Sequence, residues 1–174
     1  MKTTLWVLMV VALVVPGVAA GDVLTVAPSQ AVVLSGDESG LTKVAVQFDL
    51  SGMQEGAGRR VDMAMVEWTP SGVPSEEFTE YAAYAATESW SGSSASETSP
   101  SVSETAVAGW EIDPADYAKN GGFLRFEVTG VAQGWHDSPG SNHGLVLEMG
   151  ELDEETLASG LGQIRLVVHY GFSR

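Results

Sequence analysis

Apolar and polar positions alternate along most of this chain. Val44, Val46, Phe48 and Leu50 interleave with Ala45, Gln47 and Asp49, a period of two that predicts a strand with one apolar face. Gly52 to Gly58 is a turn-rich connection, after which Val61–Trp68 alternates again, with Ala64, Val66 and Trp68 sharing a face. Thr69-Pro70-Ser71-Gly72 ends that run. Phe78–Ala86 reads as a further strand, although its alanines also suit a helix. Leu124, Phe126 and Val128, then Leu145, Leu147 and Met149, then Ile164, Leu166, Val168 and Tyr170 repeat the alternation. Val23–Val26 and Ala31–Leu34 give weaker strand signals near the N-terminus. Short strands separated by Gly, Pro and Ser predict an all-β sandwich or barrel, and clean alternation predicts antiparallel sheets with one wet face.

One segment departs from the strand period. Val128, Val131, Ala132 and Trp135 recur at helical spacing and form a single apolar stripe about two turns long. Thr129 stands where an N-cap residue would. So short a helix is unstable alone, so Trp135 is expected to be buried against the sandwich. Ser89–Thr105, rich in Ser, Thr and Glu, reads as a long loop between strands. Glu151–Gly160 is acidic and reads either as a surface helical turn or as a loop.

The N-terminus changes the domain count. Lys2 precedes the apolar run Leu5–Val15, and Val18-Ala19-Ala20 fits the small-residue rule for signal cleavage, which sets residues 1–20 as a signal peptide and Gly21 as the first mature residue. The run is too short for a spanning helix, and no Cys follows it to carry a lipid anchor. Residues 21–174 then form one domain, expected to be secreted, extracellular or at the cell surface. The chain has no Cys, so packing, metal or assembly must replace disulfides, as in many exported bacterial proteins. Seven basic side chains remain against twenty-three acidic ones, a net charge of −16. Such a surface repels nucleic acid and disfavours polyanionic glycans, and it keeps an exported protein soluble.

Several of these segments together resemble a known family. Leu124-Arg125-Phe126-Glu127-Val128-Thr129, Val131-Ala132-Gln133-Gly134-Trp135 and Asn142-His143-Gly144-Leu145 follow the order strand, short helix ending in tryptophan, turn and apolar strand that is typical of the DNRLRE-domain family. Val44–Ser51 resembles the family's central strand, Glu88-Ser89-Trp90-Ser91 its serine–tryptophan segment, and Arg165–Tyr170 its closing strand. The family's arginine-rich entry is replaced by Thr42-Lys43-Val44, and its N-terminal asparagine–tyrosine–glycine turn is not visible in Gly21–Gly40. The resemblance implies an antiparallel jelly-roll-like β-sandwich with one short helix, exported, and related to carbohydrate-binding modules. In that frame Trp68, Trp135, Asn142 and Gly144 are structural.

Candidate binding residues follow from the aromatic positions. Trp68 and Trp135 sit on apolar faces and are expected in the core. Trp90 and Trp110 flank the Ser-rich loop, and with Tyr81 or Tyr84 they are candidates for stacking on sugar rings. No cofactor is expected, apart from a structural calcium. Its candidate ligands are Asp113 and Asp116, with Glu151, Asp153 and Glu154 as a second set, and the same acids also read as solvated surface. His136, Asp137 and His143 share one loop but match no zinc spacing. The chain has no G-x-S-x-G, H-E-x-x-H or phosphate-cradling glycine loop. The expected function is therefore non-catalytic: a secreted module binding a polysaccharide or a cell-surface protein, with no membrane insertion after signal removal. The alternatives are a structural extracellular component working through protein–protein contacts and a small extracellular hydrolase.

Overall fold

A computed structural model describes residues 22–34, 43–53, 59–69, 79–92, 99–112, 124–149 and 154–172. Residues 1–20, expected from the sequence to be a signal peptide, and the calcium candidates Asp113, Asp116, Glu151 and Asp153 lie outside that set. The described strands are β1 (Val23–Val26), β2 (Pro28–Leu34), β3 (Lys43–Phe48), β4 (Arg59–Trp68), β5 (Thr79–Ala85), β6 (Ala108–Ile112), β7 (Leu124–Glu127), β8 (Leu145–Met149) and β9 (Arg165–Phe172). The helices among the described residues are α1 (Thr129–Asp137) and α2 (Glu154–Gly160), beside three 3₁₀ turns.

The strands form two antiparallel sheets, ordered β1-β9-β4-β7 and β2-β3-β8-β5-β6. Four pairings nest inside one another along the chain: β5 with β6, β4 with β7, β3 with β8 and β1 with β9. Successive pairs alternate between the sheets, and β2 adds an edge strand beside β3. The expected all-β sandwich is therefore the fold. Its core is built by the inward phase of each alternation: Val44, Val46 and Phe48 from β3, Ala64, Val66 and Trp68 from β4, Leu124 and Phe126 from β7, and Leu166 and Val168 from β9. Each is at most 1% exposed, so the two sheets pack face to face through these positions.

Two differences from the sequence expectation have clear physical reasons. The first is β6, which alternation does not reveal because Gly109 occupies its second position. The second is Thr129. It caps nothing: Val128 is the N-cap residue of α1, with no side-chain cap. The Thr129 hydroxyl instead accepts from the Ala64 N–H at 2.9 Å, and one turn later the side-chain Oε1 of Gln133 accepts from the Val61 N–H at 2.8 Å. β7 pairs with β4 only from Met65 to Trp68, so α1 supplies hydrogen-bond partners to the stretch of β4 that β7 does not reach. An extra residue in β4 between Val61 and Met63 spaces those two amides three residues apart. That stretch of β4 is thereby closed against strand addition.

The acidic 151–160 region, left open between helix and loop, contains α2, and Leu157 anchors it with no exposure. The buried Trp68 indole donates to the Gly160 carbonyl at 2.9 Å and fixes the end of α2. Replacing Trp68 with Phe keeps an aromatic ring but leaves that carbonyl buried without its donor. The expected cost is about 1–3 kcal/mol, read as a lower urea midpoint at unchanged m-value.

Candidate functional site

The end of β3 builds one wall of a groove. Phe48 and Leu50 keep the inward phase and are buried, while Asp49 between them is exposed. The Ser51 N–H donates to Asp49 Oδ1 at 2.9 Å, closing an Asx turn that starts the 3₁₀ turn Ser51–Met53. Met53 N–H donates to the Leu50 carbonyl at 2.8 Å and the Met53 side chain is buried.

The second wall comes from the end of α1 and the 3₁₀ turn Pro139–Ser141. Trp135 is buried beneath it, His136 is half-buried, and Asn142 reaches across 94 residues of sequence to donate through Nδ2 to the Phe48 carbonyl at 2.9 Å. Between the walls lies an open groove of about 470 Å³. Its apolar lining is Phe48, Leu50, Met53, Trp135 and Pro139. Its polar lining is Ser29, Gln47, Asp49, Ser51, His136 and Asn142.

Asp49 is the one acidic residue among the described residues of this lining. The backbone and hydroxyl hydrogen bonds from Ser51 hold its carboxyl below the ordinary carboxylate value of 3.8, against a weaker opposing effect of burial. His136 Nδ1 lies 3.2 Å from Asp137 Oδ1, and Gln133 Nε2 donates to the same oxygen at 2.8 Å. Asn142 Oδ1 is buried with no hydrogen-bond partner among the described residues, so the lining also holds an unsatisfied acceptor. Chemically the groove offers an ionised acceptor, amide and hydroxyl groups and an apolar floor.

The turn Asn142–Gly144 is the junction of this region. The Gly144 carbonyl accepts from Ala86 N–H at 3.0 Å. The His143 carbonyl accepts from the Trp90 indole at 2.7 Å, and His143 Nδ1 lies 3.3 Å from the Ser89 hydroxyl. The serine–tryptophan segment and the asparagine–histidine–glycine turn, separate in sequence, are thus docked on each other. From there the chain crosses the outer face of the second sheet. Trp90 packs over Leu34, Ala45 and Val146, and Gly92 N–H donates to Gln30 Oε1 at 2.9 Å.

The predicted site residues divide accordingly. Tyr81 is 2% exposed and belongs to the core, so its ring offers no face for stacking on a sugar. Trp90 is half-buried and engaged by its indole N–H, which makes it a fastener of the loop. Tyr84 is half-buried beside Val146 in the register of β5 and β8, and the backbone of Trp110 pairs with Tyr81. Trp68 and Trp135 lie in the core as expected. Among the described residues, no group of three or more His, Asp or Glu could hold a metal ion. The groove joins none of the four aromatic candidates. Of its lining, Asp49 and Ser51 carried a local signal, an aspartate two residues before a serine just past a strand. Ser29 and Gln47 carried none. No family model matches the chain, and no curated protein matches it.

Proposed function

We propose that this chain is an exported, non-catalytic β-sandwich domain whose groove beside Asp49 binds a neutral glycan. The groove itself is the observation that carries this reading: a concave site with an apolar floor and a few convergent polar groups suits a small polar ligand. Sugar hydroxyls both donate and accept, so they match an ionised Asp49 together with the hydroxyl and amide groups of Ser29, Ser51 and Gln47. The charge of −16 after signal removal argues against a polyanionic ligand. Catalysis of glycoside hydrolysis takes two carboxyl groups with one kept protonated, whereas the described groove lining holds one, biased to its ionised form. The jelly-roll assignment draws support from the nested pairings, which describe one long hairpin wound between two sheets. Structural calcium at Asp113 and Asp116 remains part of the proposal.

A glycan array probed with the exported chain, starting at Gly21, with and without calcium tests this. Binding is expected for neutral glycans. Asp49→Asn, which keeps the turn but removes the charge, is expected to weaken it by about tenfold to a hundredfold. Because Ser51 lowers the Asp49 pKa, wild-type binding should hold as pH falls to the ordinary carboxylate value and be lost only below it. Binding untouched by Asp49→Asn would move the ligand elsewhere, and an empty array would remove the glycan reading.

A further inference from the structure

The outward phase of the first sheet carries a pattern that neither the core nor the groove uses. Across β1, β9, β4 and β7 the register sets three rows. The middle row is Thr25, Val167, Met65 and Glu127. On one side of it lie Val23, His169 and Met63, and on the other Arg165, Glu67 and Arg125. Val23 is 54% exposed, while Val167, Met63 and Met65 are half-buried, giving an apolar strip on the outside of the sandwich.

This face is also balanced in charge. Arg60, Arg125 and Arg165 stand against Asp62, Glu67 and Glu127, in a chain whose net charge without its leader is −16. The outer face of the second sheet differs. Among its described residues Lys43 faces Glu148 at 2.9 Å, and the register adds acidic positions at Glu80 and Glu111. Two copies of so acidic a chain can approach through the first face without stacking like charge on like.

We propose that the outer face of the first sheet is a homodimer surface, with two copies stacked sheet on sheet about a two-fold axis that runs along the strands between β9 and β4. That operation places β9 of one copy over β4 of the other and β1 over β7, and it keeps each row at its own level. The rows are self-complementary under it. Arg165 meets Glu67 of the second copy and Glu67 meets its Arg165. Val167 meets Met65 in both directions, and His169 meets Met63. The interface is isologous, so it closes at two copies. Aligned sheet packing at about 10 Å accommodates outward side chains of this size. A four-stranded face is small, so the dimer sits with weak, reversible interfaces.

Sedimentation velocity of residues 21–174 across about 1–500 µM reads this directly. The expected result is a reversible monomer–dimer equilibrium. Met65→Glu and Arg165→Glu should each raise the dissociation constant at least about tenfold. The pair Arg165→Glu with Glu67→Arg should recover most of that loss, because the swap restores opposite charges across the axis. Circular dichroism and thermal melting confirm that each variant is folded, and the exposed Arg165 keeps the test independent of the half-buried Met65. A chain that stays monomeric throughout, or a dimer indifferent to both Met65→Glu and Arg165→Glu, overturns the proposal. Glycan binding is read separately and stands or falls on its own.

Discussion

Gly144→Ala is expected to destabilise the domain by about 3–5 kcal/mol, lowering the melting temperature by roughly 6–20 °C. Gly144 has φ +85°, a backbone conformation in which a side chain is strained. A Cβ there would also run into the Val46 carbonyl, which belongs to the β3 backbone and cannot swing aside as a flexible side chain would. Relief by moving the turn is closed off on three sides. Asn142 is tied to Phe48, His143 to Trp90 and Gly144 to Ala86. β8 begins at the next residue, with Leu145 paired to Val46. Gly134→Ala supplies the contrast, since nothing lies within 4 Å of a Cβ at that exposed position of α1. There the substitution should stabilise by up to about 1 kcal/mol through helix propensity. The same chemical change ten residues apart thus carries opposite signs. Urea unfolding of the two variants beside the parent measures it, and a loss below about 1 kcal/mol at Gly144 would show that the turn can relax.

What was legible in the sequence were the features that local periodicity reports. The inward faces of β3, β4, β7, β8 and β9 follow from alternation because each keeps one continuous apolar face, although on β3 and β8 the outer face is also covered, at Ala45 and Val146. Trp135 was placed in the core by its spacing to Val131 and Ala132, and it is there. What was not legible depends on contacts distant in sequence. Thr129 stands where a cap residue would, yet it serves Ala64, 65 residues away, because on its β7 side this stretch of β4 has no strand among the described residues to bond to. Trp90 beside a Ser-rich stretch has the composition of an exposed platform, and only the path of the chain across the second sheet shows what it covers. The groove joins the Asx turn at Asp49 to a turn 94 residues beyond Phe48, a pairing no window of sequence contains.

Trp135→Ala should cost about 3–5 kcal/mol, and its distinctive effect should appear on a different element. Trp135 is 4% exposed and is the largest side chain that α1 buries. A nine-residue helix does not persist in water by itself, so its position depends on that anchor. Thr129 and Gln133 meet the amides of Ala64 and Val61 only while α1 is held in place. Releasing the anchor therefore exposes part of the β4 edge, and native-state hydrogen exchange at Val61 and Ala64 should accelerate more than at the β7-paired Met65–Trp68 stretch. Trp135→Phe should retain much of the anchor and most of the protection. Since Trp135 also lines the groove, the two variants separate its roles. A structural anchor predicts that Trp135→Phe spares both exchange and glycan affinity. A direct binding role predicts normal exchange with lost affinity. Unchanged exchange at Val61 and Ala64 in Trp135→Ala would mean that α1 is held by something other than its tryptophan, and the account of how β4 is closed would need a different support.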